Sequence, residues 1–294
     1  MLCVYESDGS LLPVGGETYS LADVAELAPY CSTPGASSLE DAVASFGTGD
    51  PVGNMNDAQA PAEDRLHLRA PVRPEEVWAA GVTYERSRDA RMEESKEKDV
   101  YDRVYEAERP ELFFKATGRR VVGPGERVGL RSDSKWQVPE AEVAVVLSAE
   151  GRGILGYTLG NDMSSRDIEG ANPLYLPQAK IFADSCALGP LVTSSAAIAD
   201  PYDIVVRMRI ERRRETVFED ESSTARLHQR FDDLVSYLAR DNSIPGGTVL
   251  LTGTGIVPPE EFALEPGDLV SISAEGLGTL RNICAPASEL VSAQ

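Results

Sequence analysis

From about residue 69 onward the chain alternates short apolar runs with turn residues. EAEVAVVLS, GILGYTLGND, DIVVRMRIERR, GGTVLLTGTG and DLVSISAEGLG each read as a strand bounded by Gly, Asp or Ser. Helical signals are fewer. Residues 84–108 are charged and helix-favouring, and FDDLVSYLARD spaces its apolar residues for one face of a helix. This excess of strands predicts an α+β, mainly β architecture over residues 69–294 rather than a doubly wound parallel sheet. Residues 1–68 read as a separate small N-terminal α+β domain. It opens with a hairpin (MLCVYESDGSLLPV, turning at Asp8–Gly9), continues into a helix (SLADVAELAPY, with Ser20 as N-cap), and ends in a Gly/Pro/Ser/Asp-rich connection.

Composition narrows the class. With 294 residues, 42% hydrophobic and 26% charged, the chain can bury a full core and fits an ordinary globular protein. No run approaches the roughly 20 apolar residues of a membrane span, and MLCVYESDGS lacks the basic and apolar regions of a signal peptide, so a cytoplasmic location is expected. Cys3, Cys31, Cys186 and Cys284 lie far apart with no C-x-x-C pair, which predicts buried free thiols rather than a zinc knot or disulfide framework. The net charge of −20 speaks against nucleic acid or an anionic membrane as partner. Lysine is scarce: Lys96, Lys98, Lys115, Lys135 and Lys180 are the whole set. So many carboxylates with so little lysine suggest a salt-adapted host, a halophile.

Four segments could carry chemistry. In VPEAEVAVVL, Glu140 and Glu142 stand two apart, so a strand sends both carboxylates to one face as it enters a core. Two acids that close repel unless protonated or bridged by a cation, although an exposed acidic strand end reads the same way. Asp162, after the apolar strand of GYTLGNDMSSRD, could add a third oxygen or simply cap a turn. Carboxylates without nearby Cys or His favour a hard ion such as Mg²⁺, Mn²⁺ or Ca²⁺. Lys180 is the sole lysine after residue 136 and lies among apolar residues; it could bind a substrate carboxylate or act as a base, or lie on the surface. LLTGTGIVP offers hydroxyls and open backbone N–H groups at Thr252 to Gly255. The two histidines, His67 and His228, lack the context of a catalytic triad and read as structural.

In this order, the P-E-x-E strand, GYTLGNDMSSRD, the Lys180 segment, GGTVLLTGTG and the late PGD with GLGTLRN resemble the fumarylacetoacetate hydrolase superfamily over about residues 70–290. The resemblance implies a mixed β-sandwich roll and a Mg²⁺ or Mn²⁺ ion held by Glu140, Glu142 and Asp162. It also implies a small 2-oxo acid as substrate, with Lys180, Arg166 and Thr254 facing it, and a homodimer or homotetramer. Hydrolytic members resemble N-Y-x-x-H-x-x-E, whose His activates water. Here GVTYERSRDARMEES places Ser87 at that position, which puts a His-dependent hydrolysis in doubt.

Instead, AGVTYERSRDARMEES, YDRVYEAERPELFFKAT and NPLYLPQAK look like the 2-keto-3-deoxy-pentonate dehydratases. That likeness implies conversion of a 2-keto-3-deoxy-D-xylonate or -arabinonate to 2,5-dioxopentanoate in oxidative pentose degradation. Lys180 is then the candidate base, and Arg86, Glu111, Lys115 and Ser164 are candidate partners of the polar substrate tail. A C–C hydrolase or decarboxylase of acylpyruvates or oxaloacetate is the second reading. A non-catalytic sugar-acid binder with a surviving metal site is the third.

Overall fold

The computed structural model describes residues 2–5, 11–15, 18–22, 48–54, 68–72, 74–94, 98–148 and 151–291. The mainly β expectation is met by two large sheets. The larger has 12 strands, and its path runs Thr48–Asn54, Thr18–Ala22, Leu11–Gly15, Leu2–Tyr5, Cys186–Ser194, Ile154–Asp162, Ala141–Leu147, Val249–Leu251, Glu76–Gly81 and Glu111–Thr117. The smaller sheet orders Glu215–Ser223, Val205–Arg212, Leu269–Ala274, Gly278–Pro286 and Arg127–Leu130.

Strand Ala141–Leu147 is buried along its whole length, which explains why VAVVL is unbroken by polar residues. Alternation divides it: Val143, Val145 and Leu147 join Met208, Ile210, Val270 and Ile272 of the smaller sheet in the main core. Ala144 and Val146 join Val77, Ala79, Leu188 and Leu251 in a second core on the opposite face. Glu142 shares the parity of Ala144 and Val146, so its carboxylate enters at the end of that second core.

The expected helices over residues 84–108 and 231–241 form in place but are shorter, and short helices not expected from the sequence lie at Arg166–Ala171, Leu176–Lys180 and Ala287–Val291. Residues 84–108 form two helices, Glu85–Glu94 and Lys98–Glu106, and FDDLVSYLARD forms Phe231–Leu238. At the N-terminus, Leu2–Tyr5 pairs antiparallel with Leu11–Gly15 as the hairpin pattern suggested, and Leu2 also pairs with Val192 of the large sheet. Ser20 does not cap a helix: it lies in strand Thr18–Ala22, where pairing with Thr48–Asn54 overrides local helix preference. The remainder of that expected helix lies outside the described residues, as does His67. Cys186 and Cys284 are buried and free, while the side chains of Cys3 and Cys31 are outside the described set. No helix among the described residues is long and apolar enough to cross a membrane.

Candidate metal centre and active site

Antiparallel pairing of Ala141–Leu147 with Ile154–Asp162 places Ala141 opposite Asn161 and Glu142 opposite Gly160. The strand ends are tied by Asp162 N donating to Glu140 O at 3.0 Å, and by the small ladder Gln137–Val138 with Ser164–Ser165. Glu140, Glu142 and Asp162, distant in sequence, are thereby fully buried with oxygens within 4.8 Å of one another.

Each carboxylate has different surroundings. Glu140 accepts from Lys180 Nζ at 2.7 Å and from Arg91 at 2.8 Å, with Arg166 3.4 Å away. Burial pushes its pKa up, yet Lys180 and Arg91 outweigh burial and hold it at about 2. Asp162 lies 2.6 Å from Lys115 Nζ and 3.3 Å from Lys180 Nζ. Glu142 accepts from Gly253 N at 2.5 Å, and no ion pair to it is found among the described residues. Burial first, then Asp162 and Glu140, raise its pKa well above the usual carboxylate range. Three packed carboxylates, one of them without a cation, form an all-oxygen donor set that suits a hard divalent ion.

The loops are shaped around these acids. A side chain at Gly253 (φ +93°) would collide with Thr83 Oγ1, so glycine alone lets this backbone N–H reach Glu142. Thr83 Oγ1 in turn donates to Thr252 O at 2.7 Å. At Gly81, an added Cβ would strike the Glu111 carboxylate, and the next residue, Val82, is β-branched at φ +52°. Such a conformation is strained and is held by its surroundings at the pocket wall.

Lys180, Glu111 and Thr254 line the pocket together with Glu140 and Asp162. Lys180 also donates to Ser164 Oγ at 2.6 Å. Its pKa is pulled down by burial but raised overall by Asp162 and Glu140. Thr254 Oγ1 is engaged by its own turn, donating to Ile256 O at 3.2 Å and accepting from Ile256 N at 3.1 Å. Lys115 is fully buried beneath the triad, donating to Met163 O at 3.0 Å and to Lys180 O. Arg166 is buried beside Glu140, and Ser164 holds Lys180; neither is among the residues lining the pocket. Arg86 is exposed and sits outside the lining. His228 is exposed, its ring stacked on Tyr105 at 4.3 Å.

Two charged residues of the pocket lining, Arg91 and Glu169, had no role in the sequence reading. Arg91 bridges Glu140 and Glu169, with Nε 3.1 Å from Glu169 Oε1. The signal existed: Ser87 and Arg91 are i and i+4 on one helix, hence on one face, and both line the pocket. Glu169 comes from the short helix Arg166–Ala171 and offered no pattern of its own.

Comparison with known proteins identifies the family. Residues 76–284 match the model of the fumarylacetoacetate (FAA) hydrolase C-terminal family. The chain belongs to the fumarylacetoacetate hydrolase family. It is 51% identical over 217 residues to a probable 2-keto-3-deoxyxylonate dehydratase of Haloferax volcanii, covering 74% of each chain. It is 45% identical over 219 residues to a 2-dehydro-3-deoxy-D-arabinonate dehydratase of Saccharolobus solfataricus, covering 73% of each. A solved 2-keto-3-deoxy-D-arabinonate dehydratase, complexed with magnesium and 2,5-dioxopentanoate, superposes with a TM-score of 0.83 at 34% identity, covering 97% of this chain and 98% of that one.

Proposed function

We propose that this chain is a Mg²⁺- or Mn²⁺-dependent hydro-lyase converting 2-keto-3-deoxy-D-pentonate to 2,5-dioxopentanoate. The observation that carries the reading is the buried triad with Lys180 2.7 Å from Glu140, on a pocket whose wall bears Ser87. The family's hydrolytic pattern needs a histidine at that position, whereas elimination of water does not. The two substrate names borne by the relatives converge on one molecule. Making C2 a ketone and C3 a methylene erases both centres at which D-xylonate and D-arabinonate differ, leaving only C4.

A divalent cation on Glu140, Glu142 and Asp162 would anchor the 2-oxo acid and draw electrons from C2, acidifying the C3 protons. Lys180 is the base. In the arrangement described, Asp162 and Glu140 keep its ammonium charged. A dication held by those carboxylates would take up their charge, leaving burial, which disfavours the ammonium, to act on Lys180. Ser164 orients Lys180, Lys115 fixes Asp162 from below, and Arg166 with Arg91 steadies Glu140. Glu111 faces the departing C4 hydroxyl. Its pKa is raised, by burial first and then by Glu169, which is the direction that suits a proton donor. The Thr252–Gly255 loop borders the carboxylate end, while Arg86, exposed and off the pocket lining, is given no part in the reaction.

The decisive assay follows 2,5-dioxopentanoate through an NAD(P)-dependent aldehyde dehydrogenase. Turnover lost with EDTA and in Glu142→Ala is expected; cleavage of an acylpyruvate with no dehydration would overturn the reading. The acidic composition is taken as salt adaptation, for which stability should rise with KCl; a maximum at low salt would end that view. A homodimer or homotetramer is proposed by family resemblance, to be measured by light scattering.

A further inference from the structure

Elimination alone does not yield the proposed product. Loss of H from C3 and OH from C4 of the –CH₂–CHOH–CH₂OH tail gives water and 5-hydroxy-2-oxopent-3-enoate, a conjugated enone. Reaching the aldehyde requires a second proton transfer. The C5–H electron pair forms C4=C5, the C3=C4 pair forms C2=C3, and the C2=O pair moves onto oxygen as an enolate. That enolate collapses as C3 takes up the proton. The resulting C5 enol then loses its O–H proton and gains one at C4. Only protons move, and no redox partner is needed.

We infer that Glu169 carries the proton from C5 to C3, its carboxylate held by Arg91. Resting on the dehydratase reading, this gives Glu169 a catalytic role separate from the first elimination. Glu169 is 5% exposed and lines the pocket. Its Oε1 is 3.1 Å from Arg91 Nε, while its Oε2 has no hydrogen-bond partner among the described residues. A buried carboxylate oxygen left unpartnered is costly, so one kept in a pocket implies a ligand group to meet. The other ionisable groups on the pocket wall already have work. Glu140 and Asp162 belong to the triad, Lys180 takes the first C3 proton, Glu111 protonates the leaving hydroxyl, and the Arg91 guanidinium cannot serve as a base. C3 and C5 are separated by one carbon, so a single carboxylate reaches both. A carboxylate base beside an activated ketone is established chemistry for such a proton shift.

The test uses the full chain with Mg²⁺ and substrate, following enone absorbance and aldehyde together by NMR. In Glu169→Gln, aldehyde formation should fall about 10²-fold relative to substrate loss, whatever the absolute rate of elimination, and the enone should accumulate. Glu169→Asp should recover part of the aldehyde flux. The parent protein gives an independent readout with substrate deuterated at one C5 face: label should be lost wholly from one face and kept on the other. Aldehyde appearing in step with substrate loss in Glu169→Gln, with only KM raised, makes Glu169 a hydroxyl-binding residue and overturns the assignment. So does statistical loss of label from both faces in the parent, which places the shift in solution. A parent that consumes no substrate fails the dehydratase reading itself, and the assignment falls with it.

Discussion

Arg91 meets Glu140 at 2.8 Å and Arg207 meets Glu221 at 2.9 Å, yet the two pairs belong to different physical regimes. The first pair's side chains are 7% and 6% exposed, and the second's 57% and 60%. On the outer edge of the smaller sheet, water screens both charges and the long side chains lose entropy in pairing, so the net gain is small. At the pocket each charge has lost its water and depends on its partners. Such a network is poor economy for stability, since apolar residues fill a core at lower desolvation cost. Its presence at the pocket therefore points to chemistry. Its charges are also unevenly shared: Glu140 has Lys180, Arg91 and Arg166 at hand, whereas Glu142 accepts from a backbone N–H and stays raised in pKa.

The largest expected effect comes from breaking the inner region at its least-supported acid. Glu142→Ala should abolish measurable dehydration, a loss of at least about 10³-fold, with Mg²⁺ binding lost in calorimetry. Retained turnover would remove the triad from the mechanism. Arg91→Ala should destabilise the metal-free protein by about 3 kcal/mol or more in denaturant unfolding, because Glu140 and Glu169 both lose a buried partner.

Protonation gives the next test. Glu140, held at about 2, stabilises the fold above its ordinary pKa of 4.5, and that contribution is lost as pH falls toward 2. Glu142 is raised instead: its contribution is present below the ordinary value and lost as pH rises through its folded pKa. Its proton must leave before a cation binds, so Mg²⁺ should raise the melting temperature more at about pH 7.5 than at about pH 5.5. At 100 times Kd the gain is about 2.7 kcal/mol. A Mg²⁺ effect that does not grow with pH would contradict the raised Glu142.

Arg212 is intermediate. It grips buried Asp268 with two hydrogen bonds of 2.8 Å while its own side chain is 26% exposed, and Arg212→Ala should cost about 1–2 kcal/mol. Arg207→Ala should change stability by no more than about 0.5 kcal/mol. If Arg207→Ala cost as much as Arg91→Ala, burial would not be what separates the regions.

Much of this was legible along the chain. The runs around Val143, Leu159, Met208 and Leu250 identified strands because burial on a sheet imposes its own period. The P-E-x-E spacing put two acids on one face for the same reason. Ser20 was misread because strand pairing with residues 48–54 is a long-range contact that no local propensity encodes. Arg86 and Ser87 are adjacent in GVTYERSRDAR, but only the helix's rotation against the sheet decides that Ser87 and Arg91 face the pocket while Arg86 faces solvent.

Local chemistry and periodicity thus determined the strands, the paired acids and the kind of ion they suit. What tertiary structure alone decided was partnership. It set Lys115 under Asp162 and off the pocket lining, drew Ser164 to Lys180, and brought Arg91 and Glu169 together across separate helices. The reason is physical: a strand's period is written in successive residues, whereas desolvated charges find partners only where packing closes the space between distant segments.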